Sequence, residues 1–390
     1  MPVINRIAEW QDELTAWRRH LHAHPELGFQ EFETSAFVAE KLRGFGIDEV
    51  HLGLAGTGVV GVIRNGQGGG SIALRADMDA LPIEERTGLP HASTRSGRMH
   101  ACGHDGHTTM LLGAARYLAE TRNFAGTVYL VFQPAEEGHG GGRRMVEEGL
   151  FERFPADEIY GLHNWPQLPV GSFAMCAGPA MAAADQFSIE LTGTGCHAAM
   201  PHLGRDPIVA ASLIVQAACA IVARQVDPLD NAVVSITKIQ GGDTYNVVPE
   251  RVTMLGTARS FRAATQDFIE RRLGEIVAGI AAAQGLEGQL TYRRGYPPTL
   301  NHAQQAGFGA DAAAEIAGDR RVDRAPAPSM GAEDFSFMLQ RRPGAYIWMG
   351  NGGAEEARVL HSPYYDFNDE ALPWGVSWWA RLVERRLPAV

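Results

Sequence analysis

The distribution of hydrophobic residues predicts an α/β domain in the first half of the chain and at its end. Segments rich in apolar residues predict strands at residues 58–63, 71–77, 127–132, 158–163 and 345–349, and the run at 127–132 is typical of a strand buried on both faces of a sheet. Apolar residues at helical spacing predict helices at about residues 4–22, 31–45, 108–120, 303–316 and 372–386. A short helix follows the glycine-rich turn at Gly138, and Asp105 is the expected N-cap of helix 108–120.

The pattern changes near Ala184, where solid apolar runs give way to alternating apolar and polar residues. The elements predicted beyond this point are a strand at 187–192, a helix at 207–226, strands at 233–239 and 251–259, a helix at 265–283 and a strand at 289–293. This β-α-β-β-α-β order is that of a ferredoxin-like unit. We therefore predict an inserted domain at residues 184–295, with residues 1–183 and 296–390 together forming the other domain.

Length, charge and cysteine content narrow the class of protein. A chain of 390 residues favours two domains, and a net charge of −11 without a long Lys or Arg run argues against a nucleic-acid partner. The N-terminal residues have no continuous apolar segment, and no window approaches the roughly 18 uncharged apolar residues of a membrane span. Four cysteines in so long a chain favour reduced thiols, so we expect a cytoplasmic protein with no membrane partner.

One short stretch concentrates groups that bind metal ions. His100, Cys102, His104 and His107 lie within eight residues, and the glycines between them permit a loop. Glu136 and Glu137 follow the strand at 127–132, at the end where ligand crevices of open α/β sheets lie. Thiolate, imidazole and carboxylate are the usual ligands of zinc-like ions, which favours a metal-dependent hydrolase.

Each of these residues also has a plainer interpretation. Cys102 alone could be a buried free cysteine, and the two glutamates could be solvated at a strand end. His163 and His361, which end or follow strands, could be hydrogen-bonded structural residues. The agreement of several such residues favours the metal site over these separate explanations.

Motifs along nearly the whole chain resemble one enzyme family. They occupy residues 18–27, 73–82, 102–107, 133–137, 162–164, 195–202, 246–249, 330–335 and 360–361. On these residues the chain resembles the amidohydrolase branch of the dinuclear metallo-aminoacylase and carboxypeptidase family, which includes hippurate hydrolase, N-acyl-amino acid hydrolases and auxin-conjugate hydrolases. The resemblance implies a zinc-peptidase-like α/β catalytic domain, in which helices flank a mixed sheet, together with the inserted ferredoxin-like domain.

The resemblance also implies a metal site. The ligands it implies for two divalent ions per subunit are Cys102, His104, Glu137, His163 and His361. Cys102 stands in the region where the broader family has a bridging aspartate, and Asp77 stands where it has a histidine. Because a thiolate favours softer ions while imidazole and carboxylate also suit manganese, both Zn²⁺ and Mn²⁺ stay open.

Catalytic and substrate-binding roles follow from the same resemblance. It implies that Glu136 is the general base, that Asp79 orients a metal-site group, and that His197 reaches the neighbouring active site of a homodimer or higher homo-oligomer. Asn246 and Arg259 match substrate-contacting residues. Without the family match, His197 would be read as a loop residue, Asn246 as a turn residue and Arg259 as a surface charge.

The predicted reaction is hydrolysis of the amide bond of an N-acyl-amino acid, with the acyl group and the amino acid left open. An N-acetyl-diaminopimelate-type deacetylase and a small-peptide carboxypeptidase or dipeptidase are alternatives within the family. A third alternative is a metal-binding protein without catalytic activity, which would keep the ligands but assign no role to Glu136. A nucleotide-binding oxidoreductase is a distant alternative, because the glycines after Gly138 lack dinucleotide spacing: position 143 is Arg143.

Overall fold

The computed structural model describes residues 4–66, 68–352 and 359–389. The chain divides into a larger unit, formed by Met1–Ala180, Leu300–Ala327 and Asp334–Val390, and a smaller unit, formed by Met181–Thr299 and Pro328–Glu333. The short second segment of the smaller unit lies outside the predicted inserted domain, because no change of hydrophobic pattern marks it.

A mixed eight-stranded sheet is the centre of the larger unit. Its strands are β1 Glu49–Leu54, β2 Gly58–Asn65, β3 Ser71–Asp77, β4 Gly126–Gln133, β5 Glu158–Trp165, β6 Phe173–Ala174, β15 Val322–Asp323 and β16 Gly344–Gly350. The order across the sheet is β1-β2-β4-β3-β5-β16-β6-β15. Strands β4, β3, β5 and β16 are mutually parallel. Their carboxyl ends therefore lie at one edge.

The helices of the larger unit flank this sheet. They are α1 Asn5–Ala8, α2 Gln11–Ala23, α3 Phe32–Gly44, α4 His104–Thr121, α5 Gly141–Glu147, α6 Leu150–Arg153, α9 Ala303–Ala317, α10 Ser336–Leu339 and α11 Leu372–Arg386. Alternate residues of the central strands, such as Leu74, Leu162 and Ile347, join the main hydrophobic core with helices that include α4 and α11. The intervening residues point to the opposite face. That face carries the polar residues Asp77 and His163 where the strands end.

Two helix predictions were wrong in detail. The predicted helix at 4–22 is two helices, α1 and α2, separated at Glu9 and Trp10. Helix α4 begins at His104 rather than Thr108, and its N-cap is Gly103 with φ of 89°. Asp105 therefore lies inside the first turn and is not the cap; its Oδ2 lies 2.8 Å from Nδ1 of the buried His22, and its Oδ1 accepts the N–H of Gly106 at 2.9 Å.

The smaller unit has the predicted ferredoxin-like order. Its helices and strands are β8 Ala183–Thr192, β9 Cys196–His197, α7 Pro207–Arg224, β10 Ala232–Gln240, β11 Val247–Val248, β12 Arg251–Ser260, α8 Ala263–Ala283 and β13 Glu287–Tyr296. Four strands form an antiparallel sheet in the order β10-β12-β8-β13, and β9 pairs with β11. Strands β7 Gly178–Met181 and β14 Thr299–Asn301 lie where the chain passes between the units.

Helix α7 is long and apolar enough, by length and composition alone, to cross a membrane. The sequence expectation that no window approaches such a span was therefore too strong. One face of α7, with Ala210, Ile214 and Ile221, packs in the core of the smaller unit. A single such helix is weak evidence for a membrane span, since a core helix passes the same test.

Candidate metal centre

A tight loop after β4 presents Glu136 and Glu137. Ala135 has a left-handed φ of 55°, and Gly138 and Gly140 also have positive φ. A Cβ on Gly141 would collide with the carbonyl oxygen of Pro134. The glycines therefore allow the chain to fold back after the two acids, a role unrelated to nucleotide binding.

Asp79 holds this loop against the end of β3. Its two carboxylate oxygens accept hydrogen bonds from the N–H groups of Glu136 and Glu137, both at 3.0 Å. Its carbonyl oxygen lies 2.9 Å from Nδ1 of His104, which leaves Nε2 of that ring as the outward atom. Burial alone would raise the pKa of Asp79, but the His104 interaction and these N–H groups lower it. The aspartate thus orients three neighbouring residues at once.

Cys102 and His163 meet at the carboxyl end of β5. The Cys102 Sγ lies 3.4 Å from Nε2 of His163, and His163 Nδ1 lies 2.7 Å from the Asn164 carbonyl. Burial lowers the pKa of His163 well below its ordinary value, which favours the neutral imidazole that binds metal ions. Burial and the carboxylate of Glu137 raise the pKa of the Cys102 thiol, so a thiolate here requires a nearby cation.

The five predicted ligands come together in overlapping groups. Within each group the donor atoms lie within 4.8 Å of one another. One group is Cys102, His104 and His163; a second is Cys102, Glu137 and His361; a third is His104, Glu136 and Glu137. Cys102 is shared by the first two, as a bridging ligand would be. His361 is the exposed member, and its N–H donates to the carbonyl of Ala101 at 2.7 Å.

Two of these donor atoms fit a cation directly. Nε2 of His104 and Oε1 of Glu137 are buried and lie 4.0 Å apart; neither makes a well-formed hydrogen bond within the described residues, and the Glu137 oxygen also lies 3.2 Å from Nε2 of His361, another proposed ligand. Burial would lower the pKa of His104, but Asp77, Asp79 and Glu137 raise it to about 10. Buried polar atoms without hydrogen bonds and clustered carboxylates are both costly, and a divalent cation would relieve both.

A buried ionic network that the sequence did not reveal supports the site. Arg75, fully buried in β3, donates to Gln133 at 2.8 Å, to Asp77 at 2.7 Å and to Asp334 at 3.1 Å. The N–H of Asp334 points to Oε1 of Glu136 at 3.4 Å. The one available signal was an arginine within an otherwise apolar strand, where an unpaired charge would not be tolerated.

His107 belongs to the histidine-rich stretch, but both of its ring nitrogens contact other residues of the protein. Its Nδ1 lies 2.6 Å from Asp77, and its Nε2 accepts the N–H of Asn164 at 2.9 Å. Asn164 also donates to the carbonyl of Cys102 at 2.6 Å and accepts from the Tyr365 hydroxyl at 2.6 Å. This positioning role of Asn164 was missed because its partners are distant in sequence.

The remaining predicted residues lie in the smaller unit. His197 in β9 and Asn246 are exposed neighbours, since the N–H of Ala198 donates to the Asn246 carbonyl at 2.9 Å. His197 Nδ1 accepts the N–H of Ala199 at 3.0 Å, so in the neutral ring Nε2 carries the proton. Arg259 in β12 is half-buried and donates to Thr257 and, at 3.0 Å, to the carbonyl of Ala258. Burial lowers the pKa of its guanidinium.

A largely buried set of thiol, imidazole and carboxylate donors at the strand ends of a mixed α/β sheet, with a further carboxylate beside it, defines a metal-dependent hydrolase. The sequence comparison gives the family. Residues 73–385 match the profile of the peptidase family M20/M25/M40, and the chain belongs to this family.

Similar proteins cover nearly the whole chain. It is 41% identical over 387 residues to the hippurate hydrolase of Campylobacter jejuni subsp. jejuni serotype O:2, covering 99% of this chain and 100% of that enzyme. It is 41% identical over 363 residues to the N-acetyl-L-cysteine deacetylase of Bacillus subtilis, covering 93% and 85%. A dinuclear metal-binding peptidase of the M20 family from Bacillus subtilis has a structure with a TM-score of 0.84 at 35% identity, covering 98% and 100%.

Proposed function

We propose that this amidohydrolase cleaves the amide bond of N-acyl-amino acids and releases a carboxylic acid and a free amino acid. The observation that carries the proposal is the buried donor set around Cys102, with the carboxylate of Glu136 beside it. The similarity to a hippurate hydrolase and to an N-acetyl-L-cysteine deacetylase supports this substrate class. The second relative also supports a deacetylase, which hydrolyses the same type of amide bond but removes an acetyl group.

The metal ligands in this proposal are Cys102, His104, Glu137, His163 and His361. They would hold two divalent ions, zinc or manganese, with the thiolate as the soft donor and the imidazoles acceptable to either ion. Such ions, when bound, make water acidic near neutral pH and polarise a carbonyl oxygen.

Glu136 is the proposed proton carrier. Its carboxylate lies with the donor atoms of His104 and Glu137, while Asp79 fixes its backbone N–H. In this position Glu136 takes the proton of the attacking water and then gives it to the leaving amine. A carboxylate that both accepts and returns the proton completes the hydrolysis without a second acid.

The residues of the smaller unit take the substrate roles in the proposal. The N–H at Nε2 of His197 would stabilise the developing oxyanion in the neighbouring subunit. Arg259 has no carboxylate partner among the described residues, and its partly buried guanidinium suits the α-carboxylate of the substrate together with Asn246. None of these three residues is a proposed metal ligand, so substrate binding and metal binding can be tested separately.

A homodimer through the smaller unit, with residues 184–295 as the lid or dimerisation domain, is part of this proposal. Helix α7 exposes Ile208, Val209 and Leu213, each at least 38% exposed, which supports an apolar contact surface. Sedimentation of an active monomer would contradict it.

We also place the protein in the cytoplasm, since none of its four cysteines forms a disulfide, and fractionation of cells tests this.

A panel of N-acyl-amino acids tests the function. The purified protein is loaded separately with Mn²⁺ and Zn²⁺ and is given N-benzoylglycine, N-acetylglycine, N-acetylcysteine and an unacylated dipeptide. Release of free amino acid from the acylated substrates, with little from the dipeptide, is expected. Cleavage of the dipeptide alone would favour the carboxypeptidase alternative, and no cleavage with either ion would contradict the proposal.

A further inference from the structure

Two tryptophans stack directly beside a proposed metal ligand. The ring centroids of Trp165 and Trp348 lie 4.4 Å apart with an interplanar angle of 21°. Trp165 is two residues beyond His163 on β5, and Trp348 is paired with His163 in the parallel register of β16. All three side chains therefore project from the same face of the sheet. The His163 and Trp165 rings are 6.4 Å apart, with the edge of one toward the other.

The aromatic surface continues from this pair. The Tyr346 ring lies 6.1 Å from His163 on the same face, and Phe335 lies 5.6 Å from Tyr346. Trp348 is buried at 5% exposure, whereas Trp165 is partly open to solvent. An apolar wall thus adjoins the donor set, and its outer indole remains accessible.

Trp348 carries an unsatisfied polar atom. Its Nε1 is buried and has no hydrogen-bond partner within residues 4–66, 68–352 and 359–389. Buried indole N–H groups ordinarily have an acceptor, because an unpaired donor is costly. Because this atom is closed to solvent and Trp165 is stacked on Trp348, a substrate at the wall would meet the indole of Trp165 and not the Trp348 N–H.

We infer that Trp165, stacked on Trp348, is a specificity-determining residue that selects substrates with a flat aromatic acyl group. The inference rests on the proposed function. In an N-acyl-amino acid the acyl substituent is bonded to the scissile carbonyl, so it must lie close to the donor set when that carbonyl is attacked. The aromatic wall reaches those donors, since the ring centroids of Trp165 and His163 are 6.4 Å apart. Offset stacking on Trp165 favours benzoyl and indolyl-acetyl groups over acetyl.

The test compares kcat/KM for N-benzoylglycine and N-acetylglycine in metal-loaded protein. The wild type should prefer the benzoyl substrate. Trp165→Leu keeps an apolar side chain but removes the flat ring, so the benzoyl-to-acetyl ratio should fall roughly 3- to 10-fold. Trp165→Phe should keep the ratio within about two-fold of wild type. Trp374→Leu is the matched control: this half-buried tryptophan lies at the start of α11, beside Arg321, and its loss should leave the ratio unchanged.

Metal content and Tm are measured for each variant. If Trp165→Leu fails to fold, Trp348→Phe provides the test, because the smaller ring backs Trp165 less fully and should lower the ratio about two- to three-fold. An unchanged ratio in folded, metal-replete Trp165→Leu, or a wild type that prefers the acetyl substrate, would overturn the inference while leaving the proposed function intact. Absence of hydrolysis of both substrates by the wild type would overturn the proposed function and this inference with it.

Discussion

The proposed metal ligands of the larger unit and the proposed substrate residues of the smaller unit are held very differently. His104 and His163 are buried, and each has one ring nitrogen fixed by a backbone carbonyl. His197 and Asn246 are exposed, and the hydrogen bonds that the Arg259 guanidinium makes among the described residues go to Thr257 and Ala258 of its own strand. Ion binding needs donors arranged before the ion arrives, whereas substrate-binding groups must stay accessible. Substitutions in the two regions should therefore affect different quantities.

The largest effect is expected for Glu136→Gln. The amide cannot accept the proton of the attacking water, so kcat should fall by about 10³-fold while the metal content stays that of wild type. Steady-state kinetics and elemental analysis measure the two quantities. Glu137→Gln is the matched control, because the neighbouring side chain is a proposed ligand and its loss should lower metal content. Turnover near the wild-type rate in Glu136→Gln would refute the role of the base.

Asp79→Asn should weaken the metal site without touching a donor atom. The amide cannot accept both N–H groups of Glu136 and Glu137, so metal affinity should fall roughly 10- to 100-fold. Competition with a chromophoric chelator measures the change. Asp185→Asn, at an equally buried carboxylate of the smaller unit, should leave metal affinity as it was. Equal losses in both variants would mean that general destabilisation, and not local positioning, is responsible.

Arg259→Lys should act on substrate binding alone. Lysine keeps the charge but loses the planar pair of donors, so KM should rise about 10-fold with metal affinity unchanged. Arg251→Lys is the control on the same strand, where the arginine is exposed and lies 3.3 Å from Glu190. A fall in metal content in Arg259→Lys would contradict the contrast between the two units.

Local patterns predicted the fold well and the support of the site poorly. Runs that are mostly apolar predicted β3, β4, β5 and β16, because strands buried on both faces carry apolar residues at most positions. The predicted start of α4 was wrong because the helix begins directly after Gly103, which has a positive φ. Asp105, the expected cap, instead contacts His22 of helix α2. These are contacts between distant parts of the chain, which composition and spacing do not record.

The site shows the same division. The motifs predicted a cluster that includes Cys102 and His104, and the structure brings those donors together, while the roles of the site residues stay predictions. The Arg75–Asp334 contact joins residues 259 positions apart, and the Asn164–Tyr365 bond joins residues 201 apart. No local pattern around Asn164 could have indicated which groups it holds.

The smallest expected effect is the change of thermal stability with pH that the buried His22 causes. Burial would lower the pKa of His22, but Asp105 and Glu85 raise it to about 9. Because the folded pKa exceeds the unfolded value of about 6.5, this stabilisation is complete below pH 6.5 and is lost as pH rises through 9. Tm should fall by a few degrees over this range, and less in His22→Gln. His51→Gln, at an exposed histidine, should keep the wild-type dependence.

Metal removal tests the central claim most directly, namely that Cys102, His104, Glu137, His163 and His361 bind the divalent ions that amide hydrolysis requires. Protein dialysed against a strong chelator is assayed with N-benzoylglycine while Mn²⁺ or Zn²⁺ is added back in measured equivalents. We expect no activity in the stripped protein and recovery that saturates at two equivalents per chain, with no such recovery in Cys102→Ala. Full activity in protein shown by elemental analysis to contain no transition metal would contradict the account.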